Sequence, residues 1–104
     1  MNMKTFKDIE FGPHGSGDGR ILGKLEVNGH FISVVAGDGM YCEPRENLGS
    51  EEKFTSFEIA VFDDKGNFVT DTFLPNEGEV AGWQTREDID MLIVRVQTFN
   101  NSLT

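Results

Sequence analysis

The segment Asn28-Gly29-His30-Phe31-Ile32-Ser33-Val34-Val35-Ala36-Gly37-Asp38-Gly39-Met40-Tyr41-Cys42-Glu43-Pro44-Arg45 decides how this chain folds. Asn-Gly is the favoured pair for a two-residue type I′ turn, because both positions require positive φ. Counting outward from it pairs Val27 with His30, Leu25 with Ile32, Gly23 with Val34 and Ile21 with Ala36. Side chains alternate along a strand, so all eight share one face, apolar except at His30. The opposite face holds Glu26, Lys24 and Ser33 together with Phe31, Leu22 and Val35, and is the more apolar away from the turn.

Downstream, residues 40–53 form a long polar connection with Pro44 and Gly49 and no periodicity, a length that in a small domain marks a functional or mobile loop. Phe57–Phe62 alternates as a further strand. Asp63-Asp64-Lys65-Gly66-Asn67 reads as a type I turn closed by a left-handed Gly66, leading by a bulged hairpin into a strand over Phe68–Phe73. Residues 75–82 are loop, with a short last strand at Val80-Ala81-Gly82-Trp83. A helix then begins with Thr85 as cap and Asp88 three residues on, Glu87 adding favourable charge to the first turn. Ile89, Leu92, Ile93, Val96 and Phe99 form its apolar stripe, and Asn100-Asn101 ends it. Upstream, residues 1–11 fit either a short strand or a helical turn, and residues 12–19 are a glycine-rich loop. Strands first and one helix last predict an α+β domain: an antiparallel sheet of four to five strands in hairpins, with a C-terminal helix packed on one face.

Size and charge narrow the partners. At 104 residues, 1–104 reads as a single domain with a modest core. The 38% apolar content is low, and nine phenylalanines compensate with their large buried area. Eighteen acidic against nine basic residues give a net charge of −9, which disfavours contact with nucleic acid or anionic lipid. No apolar run is long enough to span a bilayer, and the first residues lack the apolar segment of a signal peptide. A lone cysteine excludes an intramolecular disulfide and fits a reducing cytoplasm.

The motifs point to contact rather than catalysis. Gly15-x-Gly17-x-Gly19 resembles a phosphate loop only in its glycines, since a strand follows it instead of a helix N-terminus. His14, His30 and Cys42 lack metal-ligand spacing, His30 being placed as a polar tip at the sheet edge beside the turn. Cys42, read as a semi-exposed loop cysteine, has Arg45 to favour a thiolate and Glu43 to oppose it, but no base to activate it. No catalytic residue, metal or cofactor is therefore expected. Tyr41, Arg45 and Trp83 are of the types that dominate interface hot spots, and the expected contact surface comprises loop 37–53 and the nearby Trp83. The competing reading buries Trp83 under the helix and pairs Arg45 with a local glutamate.

Asn28-Gly29-x-x-Ile32-Ser33-Val34-x-x-Gly37-x-Gly39-x-Tyr41-x-x-Pro44-Arg45, then Phe57-Glu58-Ile59-Ala60-Val61, Val80-x-Gly82-Trp83 and Glu87-Asp88-Ile89, resembles a group of small bacteriophage proteins of no assigned activity. The likeness covers about half the chain in order and departs at 12–19 and 46–53. It implies a phage or prophage origin and carries over no functional residues. The expectation is thus an acidic accessory protein of the host-cell cytoplasm that contacts a host or viral protein. The alternatives are an acidic inhibitor that imitates nucleic acid, and a self-assembling structural subunit.

Overall fold

The computed structural model describes residues 3–15 and 17–99. A single 3-10 turn, Phe6–Asp8, leads into strand β1, Glu10–Pro13, followed by β2, Ile21–Val27, and β3, His30–Ala36. A second 3-10 turn, Glu51–Lys53, precedes β4, Phe57–Phe62. A short helix α1, Thr70–Phe73, then strand β5, Ala81–Gln84, and helix α2, Arg86–Thr98, complete the order. The five strands form one antiparallel sheet in sequence order, so every connection is between neighbours.

The central hairpin has the register that the turn dictates. Asn28 and Gly29 adopt φ of 52° and 72°, and Val27–His30, Leu25–Ile32, Gly23–Val34 and Ile21–Ala36 are partners. This face, extended by Phe57, Ile59 and Val61, is buried beneath Ile89, Leu92, Ile93 and Val96 of α2. Gly23 is required here, because a Cβ would lie 2.5 Å from Ile9 Cγ2 and 2.6 Å from Phe11 Cε1.

Helix α2 starts at the expected capping box: Thr85 Oγ1 accepts from Asp88 N at 3.1 Å, and Thr85 N donates to Asp88 Oδ2 at 3.0 Å. Its far end is held by the hairpin itself, because Asn28 Nδ2 donates to the carbonyls of Val96 and Phe99, both at 2.8 Å. Val96 O also accepts from Phe99 N, at 3.3 Å, and both carbonyls lie at the negative end of the helix dipole, where an amide donor is favourable. The helix end expected at Asn100-Asn101 lies outside the described residues. Along its flank, Phe6 N donates to Asp90 Oδ1 at 2.7 Å, pinning the N-terminal segment to α2.

Three local expectations are corrected. Within the segment 1–11, read as either a helical turn or a strand, Phe6–Asp8 is a helical turn and Glu10 opens a strand, and β1 runs on through Gly12 and Pro13. The turn at Asp63–Asn67 forms with Gly66 at φ 84°, but Phe68–Phe73 is not a strand. After one bridge, Phe62–Phe68, Thr70 Oγ1 accepts from Val61 N at 2.9 Å, taking the place of a backbone carbonyl. The same hydroxyl donates to Glu79 O at 2.7 Å, and the chain turns into α1. His30 is buried, not a tip at the edge: its ring lies edge-on to Phe73 and Phe99, and Nδ1 meets Asn28 O at 2.8 Å.

Replacing Asn28 by Asp keeps a residue that tolerates the left-handed turn but sets a carboxylate against two helix-end carbonyls. Asn28→Asp is expected to lower unfolding free energy by about 1–3 kcal/mol, read as a lower denaturant midpoint at unchanged slope. An unchanged midpoint would show that the amide contributes nothing.

Candidate functional site

The candidate surface is built on the chain leaving β3. Gly37 adopts φ 144° in a space where a Cβ would lie 2.7 Å from Arg20 Cγ and 2.9 Å from Asn47 Oδ1. Five residues on, Cys42 turns inward and is fully buried. Its Sγ accepts from Gly37 N at 3.3 Å and faces the carbonyls of Gly37 and Pro44 at 3.5 and 3.3 Å. The thiol is therefore an anchor, which corrects its expected place as a semi-exposed loop cysteine. Burial pushes its pKa above the ordinary value; the Gly37 N–H bond and Arg45 oppose the shift, and Glu58 and Glu43 reinforce it.

With Cys42 turned in, its neighbours turn out. Tyr41 N donates to Glu58 Oε1 at 2.9 Å, and Tyr41 O accepts from Trp83 N at 2.8 Å, tying the loop to β4 and β5. Gly82 leaves room for this contact, since a Cβ there would lie 2.6 Å from Tyr41 Cβ. Trp83 follows with φ 53°, a left-handed conformation uncommon for a large residue, at a register irregularity between β4 and β5. The ring packs on Tyr41 with centroids 5.3 Å apart and planes inclined by 35°. The Arg45 guanidinium sits 5.5 Å from the Tyr41 centroid, and its Nε donates to Met40 O at 2.9 Å.

The structure thus brings Arg45, Tyr41 and Trp83 into one row, although Trp83 is distant in sequence. Tyr41 is 46% exposed and Trp83 53% exposed, so Trp83 is no core plug. Arg45 binds a backbone carbonyl, as do Arg20, Arg86 and Arg95. Among the described residues the one ion pair is Arg20–Asp18, at 3.2 Å.

Hydrogen bonds tie the long loop to itself and to its neighbours at several points. Asp38 N donates to Asn47 Oδ1 at 2.7 Å, Gly49 N to Gly19 O at 2.9 Å, and Thr55 N to Glu43 O at 2.8 Å. Arg86 closes it by donating to Phe54 O and Glu51 O at 2.8 and 2.7 Å while lying over the rings of Phe6 and Phe57. The glycines at 15, 17 and 19 all have positive φ and lead into β2, an arrangement without the helix N-terminus that phosphate capture uses. No helix among the described residues is long and apolar enough to cross a membrane.

Sequence reasoning picked the three residue types but not their seating. Glycine directly before tryptophan was the available signal for Gly82; the roles of Glu58 and Cys42 depend on packing between distant segments.

A neutral, buried Cys42 is expected to react with alkylating reagents at least about a hundredfold slower in the native protein than in denaturant, with no fast phase at neutral pH. Rapid native labelling would contradict its assignment as an anchor. No family model, curated protein or solved structure matches this chain.

Proposed function

We propose that this chain is a small acidic accessory protein that acts by binding another protein, host or viral, through Tyr41, Arg45 and Trp83. The observation that carries the proposal is the exposed row of these side chains, positioned by hydrogen bonds and by the glycine seat at position 82. A pre-positioned aromatic pair loses little conformational freedom on docking, and tyrosine, tryptophan and arginine give the largest contributions when a partner excludes water from them. A net charge of −9 argues against a phosphate backbone as the ligand. The resemblance to small phage proteins supports a viral origin and a site of action in the host cytoplasm.

The same charge favours one second reading, an acidic inhibitor that occupies a nucleic-acid-binding surface. With a single ion pair among the described residues, the carboxylates are largely free to face a basic partner. Salt separates the two readings. A complex held by dispersed carboxylates weakens steeply as ionic strength rises, whereas one anchored on buried aromatic contacts persists.

Affinity capture from expressing host cells should recover a partner that the Tyr41→Ala/Arg45→Ala variant and Trp83→Ala each lose by about tenfold or more, given unchanged circular dichroism. Identical recovery by all three proteins would remove the assignment.

A further inference from the structure

Tyr41 and Trp83 offer a partner flat ring faces, inclined by 35° with centroids 5.3 Å apart. The polar atoms of this surface are one-sided. Among the described residues, the Trp83 indole N–H, the Tyr41 hydroxyl and both terminal nitrogens of Arg45 have no hydrogen-bond partner within the chain. Indole and guanidinium can only donate, and the hydroxyl can also do so. Glu58 Oε1 already accepts from Tyr41 N, and Met40 O already accepts from Arg45 Nε. A ligand that fits therefore brings acceptors and few donors, because a donor buried here without an acceptor loses its bond to water.

Peptides are held in a small number of ways, and two of the commonest do not suit this surface. Adding a strand requires free backbone groups. Here Tyr41 N, Tyr41 O and Trp83 N are all bonded within the chain, and β5 has only four residues. Laying down an amphipathic helix requires a long apolar groove with anchor points one turn apart. Here the apolar surface is two rings, and Glu43 and Glu46, close to Arg45 in sequence, are exposed.

A polyproline II segment does suit it. Such a segment has no internal hydrogen bonds, so its carbonyls are free to accept. Proline has no N–H, so prolyl rings can lie on Tyr41 and Trp83 without burying an unpaired donor. At a rise of about 3.1 Å per residue, positions two apart lie about 6 Å from each other, close to the 5.3 Å between the ring centroids. Prolines carry no charge, so the net charge of −9 does not oppose their docking.

We infer that the partner docks on Tyr41, Arg45 and Trp83 through a proline-rich segment in the polyproline II form, a reading that rests on the proposed binding role of these residues. The rings take the prolines, and the indole N–H and the Arg45 terminal nitrogens donate to the segment's carbonyls. Both sides are stiff before they meet, which limits the conformational freedom lost on binding.

Trp83 is the only tryptophan in the chain, so its fluorescence reads this surface directly. Titrating the full chain with end-blocked decaproline is expected to shift the emission to shorter wavelength and to saturate with a Kd of about 0.1–1 mM. An end-blocked glycine–serine peptide of equal length, which has N–H groups and no rings, should leave the emission unchanged. Tyr41→Ala and Arg45→Ala retain the reporter, and each should weaken decaproline binding by about fivefold or more with circular dichroism unchanged. Absence of a saturable shift at about 10 mM decaproline would overturn the inference. So would an equal response to the glycine–serine peptide, or binding indifferent to both substitutions. A partner captured through Trp83 that excess decaproline does not release would also overturn it, while leaving the binding role of the surface intact.

Discussion

Asn28 ties the two layers of this protein together. Its backbone, in the left-handed region, closes the β2–β3 hairpin with Gly29, and its side-chain amide holds the last carbonyls of α2. The turn fixes which residue opposes which, and thereby sorts apolar side chains to one face. The amide fixes where the helix that covers this face comes to rest. A hydrogen-bond donor without negative charge is what the site requires, because the helix end presents carbonyl oxygens at the negative pole of its dipole. His30, following the turn, adds its ring to Phe73 and Phe99 at the same corner.

From that constraint the functional surface follows in steps. The buried face takes alternate residues of β2, β3 and β4, leaving Phe31, Ser33, Glu58, Ala60 and Phe62 on the other side of the sheet. Beyond Ala36 the chain is held by Cys42, whose inward turn sends Tyr41 outward over Gly82. Trp83 meets Tyr41 there, and Arg45 closes the row. The aromatic row therefore rests on core contacts at Cys42 and Ala81, both fully buried, and not on the mobility of a loop.

Much of this was legible in the sequence where short-range chemistry decides the outcome. The Asn-Gly turn gave the hairpin register, and Thr85 with Asp88 gave the start of the helix. Failures came where a side chain overrides a backbone pattern or where distant segments meet. Phe68–Phe73 alternates like a strand, yet the Thr70 hydroxyl substitutes for the ladder and ends it. His30 and Cys42 are polar or reactive by type, and their burial depends on Phe99 in one case and on Gly37 and Pro44 in the other. Arg45 stood among glutamates in sequence but binds Met40 O, because the loop folds its own carbonyl into reach. The outward course of Trp83 rests on a positive φ that no residue-type preference anticipates.

The register of the central hairpin is the claim on which both the covered and the open face depend. It is measured directly by nuclear Overhauser contacts between α-protons of opposed residues, strongest at the pairs that share no hydrogen bonds, where the chains approach to about 4.5 Å. Lys24 should contact Ser33, and Leu22 should contact Val35. Contacts from Lys24 to Ile32 or Val34 instead would show a slip of one residue, exchanging the two faces and contradicting the account.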